Sequence, residues 1–339
     1  MNEIYRGKQK PEYYEHLSRT LGFLDVKDMT RLAMAEDNVN AVKAMLKTNL
    51  YAATSALATN EGSQFLQRQA QNTQGFALVQ MFFMIRTIAP ESTHNLMKNL
   101  AKKVILKTSL KISGRGLQKG MKKKRVPYYP GLAEFDLIPT MHNIMQKVTL
   151  HSIHYADIVG IKREQVKKNV VLILDTSGSM YGRSLLNAAL TTSVLSYVME
   201  KHNYAVILFN ERVLFLKHMK EKQPLQKIID DVLDAEAVGF TNIEIGLKKG
   251  LEELMAIRAN RRDKFAVLVT DGNYLRGDHP AKIAREFPKL HVVGIHQKNS
   301  PYDGLDVCRK VAKAGKGKFY PVRTFHEIPR TLLNILQQH

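Results

Sequence analysis

The first third of the chain shows the apolar spacing of α-helices. Apolar residues recur at three- and four-residue steps, as at Leu32, Ala35, Val39 and Val42. No strand-like alternation competes with this pattern over residues 11–110. The most apolar stretch, residues 76–89, contains Arg86; it is too short and too charged to cross a bilayer and predicts a buried helix. We expect an all-α N-terminal region over residues 1–111.

After Lys168 the pattern changes to short, nearly continuous apolar runs. Such runs are typical of parallel strands that are covered on both faces, and they occupy residues 170–175, 205–209, 265–270 and 291–295. Helix-spaced segments lie between and after them, at residues 183–201, 225–233, 243–257, 280–287 and 305–314. The remaining segments predict an antiparallel edge strand at 213–217, a last strand at 318–322 and a closing helix at 325–337.

Strands that alternate with helices predict an open α/β sheet with helices on both faces. We expect a doubly wound, mostly parallel six-stranded sheet over residues 168–339, preceded by the all-α N-terminal region. In sheets of this kind, ligands bind outside the carboxyl ends of the strands. That edge is therefore where functional side chains should converge.

The segment between these two parts is rich in glycine, proline and lysine. These residues interleave over 112–131, which predicts a flexible, basic linker. A short helical stretch at 136–147 and a basic lead-in at 161–168 follow. We expect residues 112–167 to form the linker and lead-in.

Charge and cysteine content indicate which compartment and which kinds of partner to expect for the protein. The chain has 339 residues, 51 Lys and Arg against 31 Asp and Glu, a formal net charge of +20 and a single cysteine, Cys308. One cysteine permits no internal disulfide, which fits a reducing compartment. The first ten residues are polar and charged, so they do not resemble an export signal. We expect a cytoplasmic protein without a membrane span, attracted to acidic partners.

The positive charge is concentrated in one segment. No acidic residue lies between Glu91 and Glu134, whereas Lys and Arg are frequent from Lys98 to Arg125. The candidates for binding phosphate or an acidic partner are Lys119, Lys122, Lys123, Lys124 and Arg125. With Tyr128 and Tyr129 close behind, the segment could also bind nucleic acid; docking of an acidic protein surface and a merely solvated basic face remain open.

Small hydroxyl residues and aspartates follow the predicted strands. The first strand ends in Asp175, with Ser177 and Ser179 two and four residues later, Thr241 lies in a loop before a helix, and Asp271 ends another strand. Mg²⁺ prefers octahedral oxygen ligands and retains water. Hydroxyls from Ser177, Ser179 and Thr241 could bind such an ion, with the aspartates acting directly or through water. The absence of His and Cys from the set argues against zinc.

The spacing and order of these residues resemble the metal-ion-dependent adhesion site of von Willebrand factor A domains. In that family, the two serines and the threonine bind the metal directly, the aspartates act largely through water, and an acidic residue of a partner completes the coordination. The resemblance implies that Asp175, Ser177, Ser179, Thr241 and Asp271 hold Mg²⁺, or Mn²⁺ or Ca²⁺, in a Rossmann-like fold. It covers residues 168–339.

Simpler roles for the same residues remain open. Asp175 and Thr241 could cap the helices that follow them, and Asp271-Gly272 could be a simple turn. An aspartic protease would need a glycine in place of Ser177 and a second copy of the motif. The chain also lacks a phosphate-binding Gly-x-x-x-x-Gly-Lys-Ser/Thr loop and a nucleophile with a positioned base. We therefore expect no enzymatic activity.

The layout of the chain is similar to that of intracellular prokaryotic A-domain proteins. A helical N-terminal half, a basic segment and a C-terminal A domain resemble the proteins associated with MoxR-type AAA+ ATPases, including the CoxE-like group. That resemblance implies an adaptor for the ATPase in complex assembly or metal insertion, which binds an exposed Asp or Glu of a partner. The alternative is an RNA-binding ribonucleoprotein component that uses the basic segment from Lys98 to Arg125.

Overall fold

The computed structural model describes residues 22–71, 75–113, 121–132, 134–146, 153–165, 167–176, 183–235, 240–296, 304–323 and 327–338. The chain divides into two compact units. One unit joins Met1–Gly116 to Asn169–His339, and the other is Leu117–Lys168.

The N-terminal part of the first unit consists of α-helices. They are α1 (Phe23–Ala35), α2 (Val39–Thr48), α3 (Leu50–Leu57), α4 (Asn60–Gln71), α5 (Gly75–Ile85) and α6 (Glu91–Ser113). Asn38 and Asn49 cap α2 and α3 by accepting hydrogen bonds from Ala41 and Ala52, which divides a continuous apolar pattern into short helices. The buried helix predicted at 76–89 is α5. No helix within the described part of the chain is long and apolar enough to span a membrane.

The remainder of the first unit contains a six-stranded sheet. Its strands are β4 (Asn169–Asp175), β5 (Asn203–Phe209), β6 (Val213–Lys217), β7 (Lys264–Thr270), β8 (Leu290–Ile295) and β9 (Lys316–Val322). Their order is β6-β5-β4-β7-β8-β9, with β6 antiparallel to β5 and the other neighbours parallel. The predicted fold class is confirmed, including the antiparallel edge strand.

Helices cover both faces of this sheet. They are α8 (Arg183–Val198), α9 (Leu225–Asp234), α10 (Ile243–Met255), α11 (Ala281–Ala284), α12 (Gly304–Ala314) and α13 (Ile328–Gln337). Alternate residues of the central strand, such as Val171 and Ile173, join a core with α10 and α12. The helix predicted at 280–287 is shorter than expected because Glu286 and Phe287 bond to Ile283 and Ala284 in tighter turns.

Helix α8 is enclosed by protein. It contacts β4 and β5 on one side and α6 of the helical part on another, with α9 and α13 beside it. From Leu185 to Val198, every side chain except Tyr197 is buried. The sequence predicts an amphipathic helix here, but the helical part covers what would otherwise be its solvent face. Its polar residues, including Thr191 and Thr192, are therefore buried as well.

Three cationic side chains join the helical part to α9. The Arg86 guanidinium donates hydrogen bonds to the carbonyl oxygens of Leu233, at 2.9 Å, and Ala235, at 2.7 Å. Lys98 pairs with Asp234, and Lys102 pairs with Asp230. Positive charge at the carboxyl end of a helix is favourable because the last carbonyl groups lack partners within the helix. The helical part and the sheet thus form a single packed unit.

The second unit contains a small antiparallel sheet. Its strands are β1 (Met121–Pro127), β2 (Glu134–Phe135) and β3 (Val159–Gln165), in the order β1-β3-β2, and its helix is α7 (Leu137–Met145). The sequence predicts a flexible, basic linker over residues 112–131, but the described residues Met121–Pro127 of that range form strand β1. The short helix predicted at 136–147 is α7. The strand β1 lacks apolar alternation, so it is recognised only through its register with β3, in which Lys123 lies opposite Arg163.

Lys217 ends the edge strand β6 with its side chain buried. The residue is 5% exposed, and its ammonium group donates to the carbonyl oxygens of Tyr204, at 2.8 Å, and His218, at 3.0 Å. Burial lowers the pKa of Lys217 to about 8, although Glu221 and Glu253 partly oppose the shift. The charged form is therefore disfavoured in the folded protein.

The pH dependence of the free energy of unfolding should reveal the lowered pKa of Lys217. Because its pKa is lower in the folded state than in the unfolded state, the unfolded chain binds more protons between about pH 8 and pH 10.5, and stability rises with pH in that window. We expect the free energy of unfolding to gain about 1–2 kcal/mol from Lys217 between pH 7 and pH 10, after allowance for screening. Urea titrations should show this gain in the wild type and not in Lys217→Met; equal pH dependence in both proteins would contradict it.

Candidate metal centre

Asp175 is the last residue of the central strand β4. Parallel pairing with β5 and β7 on both sides leaves it 3% exposed. Its Oδ2 accepts a hydrogen bond of 2.6 Å from the hydroxyl of Thr270, at the end of β7. A carboxylate that ends a buried strand is thereby held at the carboxyl edge of the sheet.

Thr270 connects Asp175 to the second aspartate of the site. Its hydroxyl oxygen also accepts a hydrogen bond of 3.1 Å from the backbone N–H of Gly272. The same hydroxyl therefore orients the Asp175 carboxylate and the turn that carries Asp271. Thr270 is not among the site residues predicted from the sequence. The available signal was a hydroxyl residue between an apolar strand and an aspartate.

Asp271 lies in a tight turn beside α12. It is 2% exposed, and its Oδ1 accepts a hydrogen bond of 2.9 Å from the backbone N–H of Asn273. Gly272 has φ +80°, and a Cβ there would lie 1.9 Å from the carbonyl oxygen of Gly304. Only glycine allows the backbone of α12 to approach so closely with this φ. The turn expected from Asp271-Gly272 is present, and it places Asp271 at the sheet edge.

Thr241 lies in the loop that leads into α10. The carbonyl oxygen of Thr241 accepts hydrogen bonds from the backbone N–H groups of Leu275, at 3.1 Å, and Arg276, at 3.3 Å. The next residue, Asn242, donates its backbone N–H to the carbonyl oxygen of Asn210, directly after β5, at 2.9 Å. The loop is thus fixed both to the end of β5 and to the segment that follows Asp271.

The structure brings Asp175, Thr241 and Asp271 to the same edge of the sheet. Ser177 and Ser179 lie outside the described residues. Thr241 does not cap α10, because the Asn242 side chain caps this helix by accepting from Ile245 N at 3.1 Å. Two buried carboxylates and a 5% exposed threonine from three distant segments form the described part of the candidate site.

The donor set suits a hard cation. Two carboxylates buried at adjacent strand ends create negative potential in a region of low dielectric, which favours a cation. Among the described residues, no group of three or more His, Cys, Asp and Glu is arranged to hold a metal. Hydroxyl and water oxygens are also ligands that Mg²⁺ accepts.

The rim around Thr241 combines apolar and charged side chains. Phe240 and Leu275 are exposed, and the guanidinium of Arg276 lies 5.0 Å from the centre of the Phe240 ring. Arg276 also lies 3.8 Å from a carboxylate oxygen of Glu211. A cleft of about 530 Å³ adjoins this rim; it includes Thr176, the residue after Asp175, and Ala235. The surface around the candidate site thus combines exposed apolar side chains, a positive charge and a cleft.

The basic residues predicted to bind phosphate or an acidic partner, from Lys119 to Arg125, belong to the second unit. Lys119 and the Lys122 side chain lie outside the described residues, whereas Lys123 and Lys124 are exposed on β1. Arg125 forms an ion pair of 2.8 Å with Asp136, and Lys123 lies 3.7 Å from Glu134. Part of this positive charge is therefore paired within the unit.

Sequence comparison gives the family. The sequence model of "VWA domain containing CoxE-like protein" matches residues 110–298, more than half of the chain. Inter-alpha-trypsin inhibitor heavy chain H3 of Pongo abelii is 34% identical over 128 residues, which are 35% of this chain and 15% of that protein. The chain thus spans about one seventh of the length of this curated relative.

Solved structures also align with this chain. BatB from Bacteroides thetaiotaomicron is 15% identical, with 50% of this chain and 98% of that chain covered and a TM-score of 0.40. Proximal thread matrix protein 1 from the mussel byssus, solved with a zinc-occupied MIDAS motif, is 18% identical, with 51% and 47% covered and a TM-score of 0.40. On the strength of the family match over residues 110–298, the chain belongs to the family of VWA domain containing CoxE-like proteins.

Proposed function

We propose that the protein is a non-catalytic, metal-dependent protein-binding module. In this proposal, Asp175, Ser177, Ser179, Thr241 and Asp271 hold one divalent cation at the carboxyl edge of the sheet. The bound ion supplies a coordination position for an Asp or Glu carboxylate of a partner protein. The observation that carries the proposal is the convergence of Asp175, Thr241 and Asp271 on one edge from three separate segments.

The metal proposed is Mg²⁺, with Mn²⁺ or Ca²⁺ as substitutes. Hydroxyl and carboxylate oxygens are the ligands that these hard cations prefer, and no thiol or imidazole belongs to the set. Neutral hydroxyl ligands leave the cation with more of its positive charge than additional carboxylates would. A partner carboxylate is therefore attracted to the site.

The rim supports a partner residue with apolar neighbours. Phe240 and Leu275 expose apolar surface beside Thr241, and Arg276 adds a positive charge next to Phe240. An acidic residue flanked by apolar side chains would contact the cation and the rim together. Apolar contacts at the centre of an interface contribute most of the affinity, whereas charged contacts contribute mainly to specificity and to the rate of association.

The partner proposed is a MoxR-type AAA+ ATPase or its client. Membership of the CoxE-like family supports this assignment. The arrangement also suits an adaptor, because a binding site at one edge of the sheet leaves the helical part, packed in the same unit, free to contact a second protein. The protein would then link ATP-driven remodelling to the assembly of a target complex or to metal insertion.

Calorimetry tests the metal site. Titration of Mg²⁺ into the wild-type protein should release or absorb heat with a single saturating transition, and Asp175→Ala should show none. The variant removes a buried carboxylate, so circular dichroism must show that it remains folded. Equal heats from both proteins would rule out the site.

Affinity capture tests the partner. Wild-type protein should retain an AAA+ ATPase in the presence of Mg²⁺ and lose it in EDTA, and folded Asp175→Ala should fail to retain it in either condition. Recovery of the ATPase irrespective of metal would contradict a role for the cation in this contact. A metal-dependent fraction that contains ribonucleoprotein instead would support the RNA-binding alternative.

Ion pairs reduce the basic surface available to that alternative. Lys98 and Lys102 belong to the segment from Lys98 to Arg125, but they pair with Asp234 and Asp230 inside the first unit. Charges that form such ion pairs are poorly placed to neutralise phosphates. We therefore propose protein binding as the function.

A further inference from the structure

Helix α7 of the second unit exposes its apolar face. Leu137 is 61% exposed, Ile138 82%, Met141 46% and Met145 76%. At 100° per residue, these four side chains fall within a continuous stripe along the helix. A surface helix of a soluble protein normally directs such a stripe towards the core. Here it faces outwards.

Polar side chains attach the other side of α7 to the unit. The hydroxyl of Thr140, which is buried, accepts a hydrogen bond of 2.9 Å from the backbone N–H of Val159. The side-chain amide of Asn143 donates to the carbonyl oxygen of Asp157 at 3.2 Å. These bonds fix the rotation of α7, so the apolar stripe cannot turn inwards without breaking them.

Further apolar surface and positive charge lie in the same unit. Phe135, two residues before α7, is exposed, as are Ile153 and Tyr155, and Tyr155 begins a turn that contacts the helix. The sequence from Leu117 to Lys168 contains ten Lys and Arg and four Asp and Glu. Arg125 reaches the beginning of α7 through its ion pair with Asp136.

From this arrangement we propose that the stripe of Leu137, Ile138, Met141 and Met145 is a docking site for an amphipathic helix of a partner protein, with acidic residues beside its apolar face. The methionines suit this role because their unbranched, polarisable side chains adapt to a partner's surface. The excess of Lys and Arg over Asp and Glu between Leu117 and Lys168 gives the unit a net positive charge that would attract the acidic flanks. The stripe belongs to the second unit and the candidate metal centre to the first, so the two proposals can be tested independently.

Other occupants fit the observations less well. A second copy would bring the same basic strands against each other, which is unfavourable. Leucine, isoleucine and methionine side chains do not provide the flat aromatic surfaces on which single-stranded nucleic acid stacks.

The test uses the full chain and a fluorescent peptide as the probe. The peptide forms a helix with leucines on one face and glutamates beside them. Fluorescence anisotropy should show saturable binding that weakens as salt is added. The double variant Ile138→Glu, Met145→Glu should bind at least about tenfold more weakly, because it removes central apolar contacts. Gln146→Glu adds the same kind of charge to an exposed position farther round the helix from the stripe and should change the affinity by less than about twofold.

Further probes separate the occupants. A peptide with the same composition in scrambled order and a peptide with lysines in place of glutamates should bind at least about tenfold more weakly. Vesicles of phosphatidylglycerol and a single-stranded oligonucleotide should not displace the peptide. Equal binding of the scrambled peptide, or a wild-type affinity for the double variant, would overturn the proposal. Displacement by vesicles or by the oligonucleotide would overturn it too, and would assign the stripe to lipid or to nucleic acid instead.

Discussion

Replacing Gly272 with alanine should destabilise the first unit by about 3 kcal/mol or more. A Cβ at this position would lie 1.9 Å from the carbonyl oxygen of Gly304, and the residue has φ +80°. Both effects act on backbone atoms, so rotation of a side chain cannot relieve them. The beginning of α12 or the Asp271 turn must shift. Because Gly272 donates to the Thr270 hydroxyl, that shift also disturbs the group that orients Asp175.

Urea denaturation measures this effect, and Gly277→Ala is the control. Gly277 has φ +88°, so it carries a similar backbone penalty, but a Cβ there would meet the side chains of Asn242 and Glu244 rather than backbone. We expect the control to lose about 1–2 kcal/mol. If Gly272→Ala were no more destabilising than Gly277→Ala, the close packing of α12 on the Asp271 turn would be wrong.

Mg²⁺ should raise the thermal midpoint of the wild-type protein by about 5 °C at 100 times its dissociation constant. A cation that binds only the folded chain stabilises it by about 2.7 kcal/mol under that condition. Thr241→Val removes the proposed hydroxyl ligand while it keeps the size of the buried side chain. We expect this variant to lose at least about half of the increase at the same Mg²⁺ concentration, since its affinity for Mg²⁺ should fall by more than about tenfold.

Thr241→Ser is the matched variant, because it retains the hydroxyl and deletes only a methyl group. Differential scanning fluorimetry with and without EDTA should place it close to the wild type. A full increase in Thr241→Val would show that the Thr241 hydroxyl does not bind the ion. An increase of equal size with Na⁺ at matched ionic strength would indicate general screening instead.

The sheet could be predicted from sequence because its strands are covered on both faces. Continuous apolar runs such as 170–175 can be recognised as strands without knowing which strands pair with them. The small hydroxyl and acidic residues after these runs indicate the carboxyl edge of the sheet. Thr270 was missed for a physical reason. Its hydroxyl differs from that of any other threonine only through its position between Asp175 and Gly272 in space.

The second unit could not be predicted from the same patterns. Strand β1 consists largely of lysine and arginine, and its position depends on pairing with β3, which is distant in sequence. The pattern predicts helix α7 at 136–147, but the rotation of the helix depends on the hydrogen bond that Thr140 accepts from Val159 and the one that Asn143 donates to Asp157. Sequence periodicity indicates which residues share a face and not which way that face points.

The enclosure of α8 ties the stability of the sheet part to the helical part that precedes it. Many domains can be cut out of a chain and studied alone, because their outer helices already face water. A fragment that starts at Asn169 would uncover the side of α8 that α6 covers. Buried Leu and Val side chains between Leu185 and Val198 would then become exposed to solvent. Such a fragment should self-associate during purification, so ligand measurements belong on the intact polypeptide.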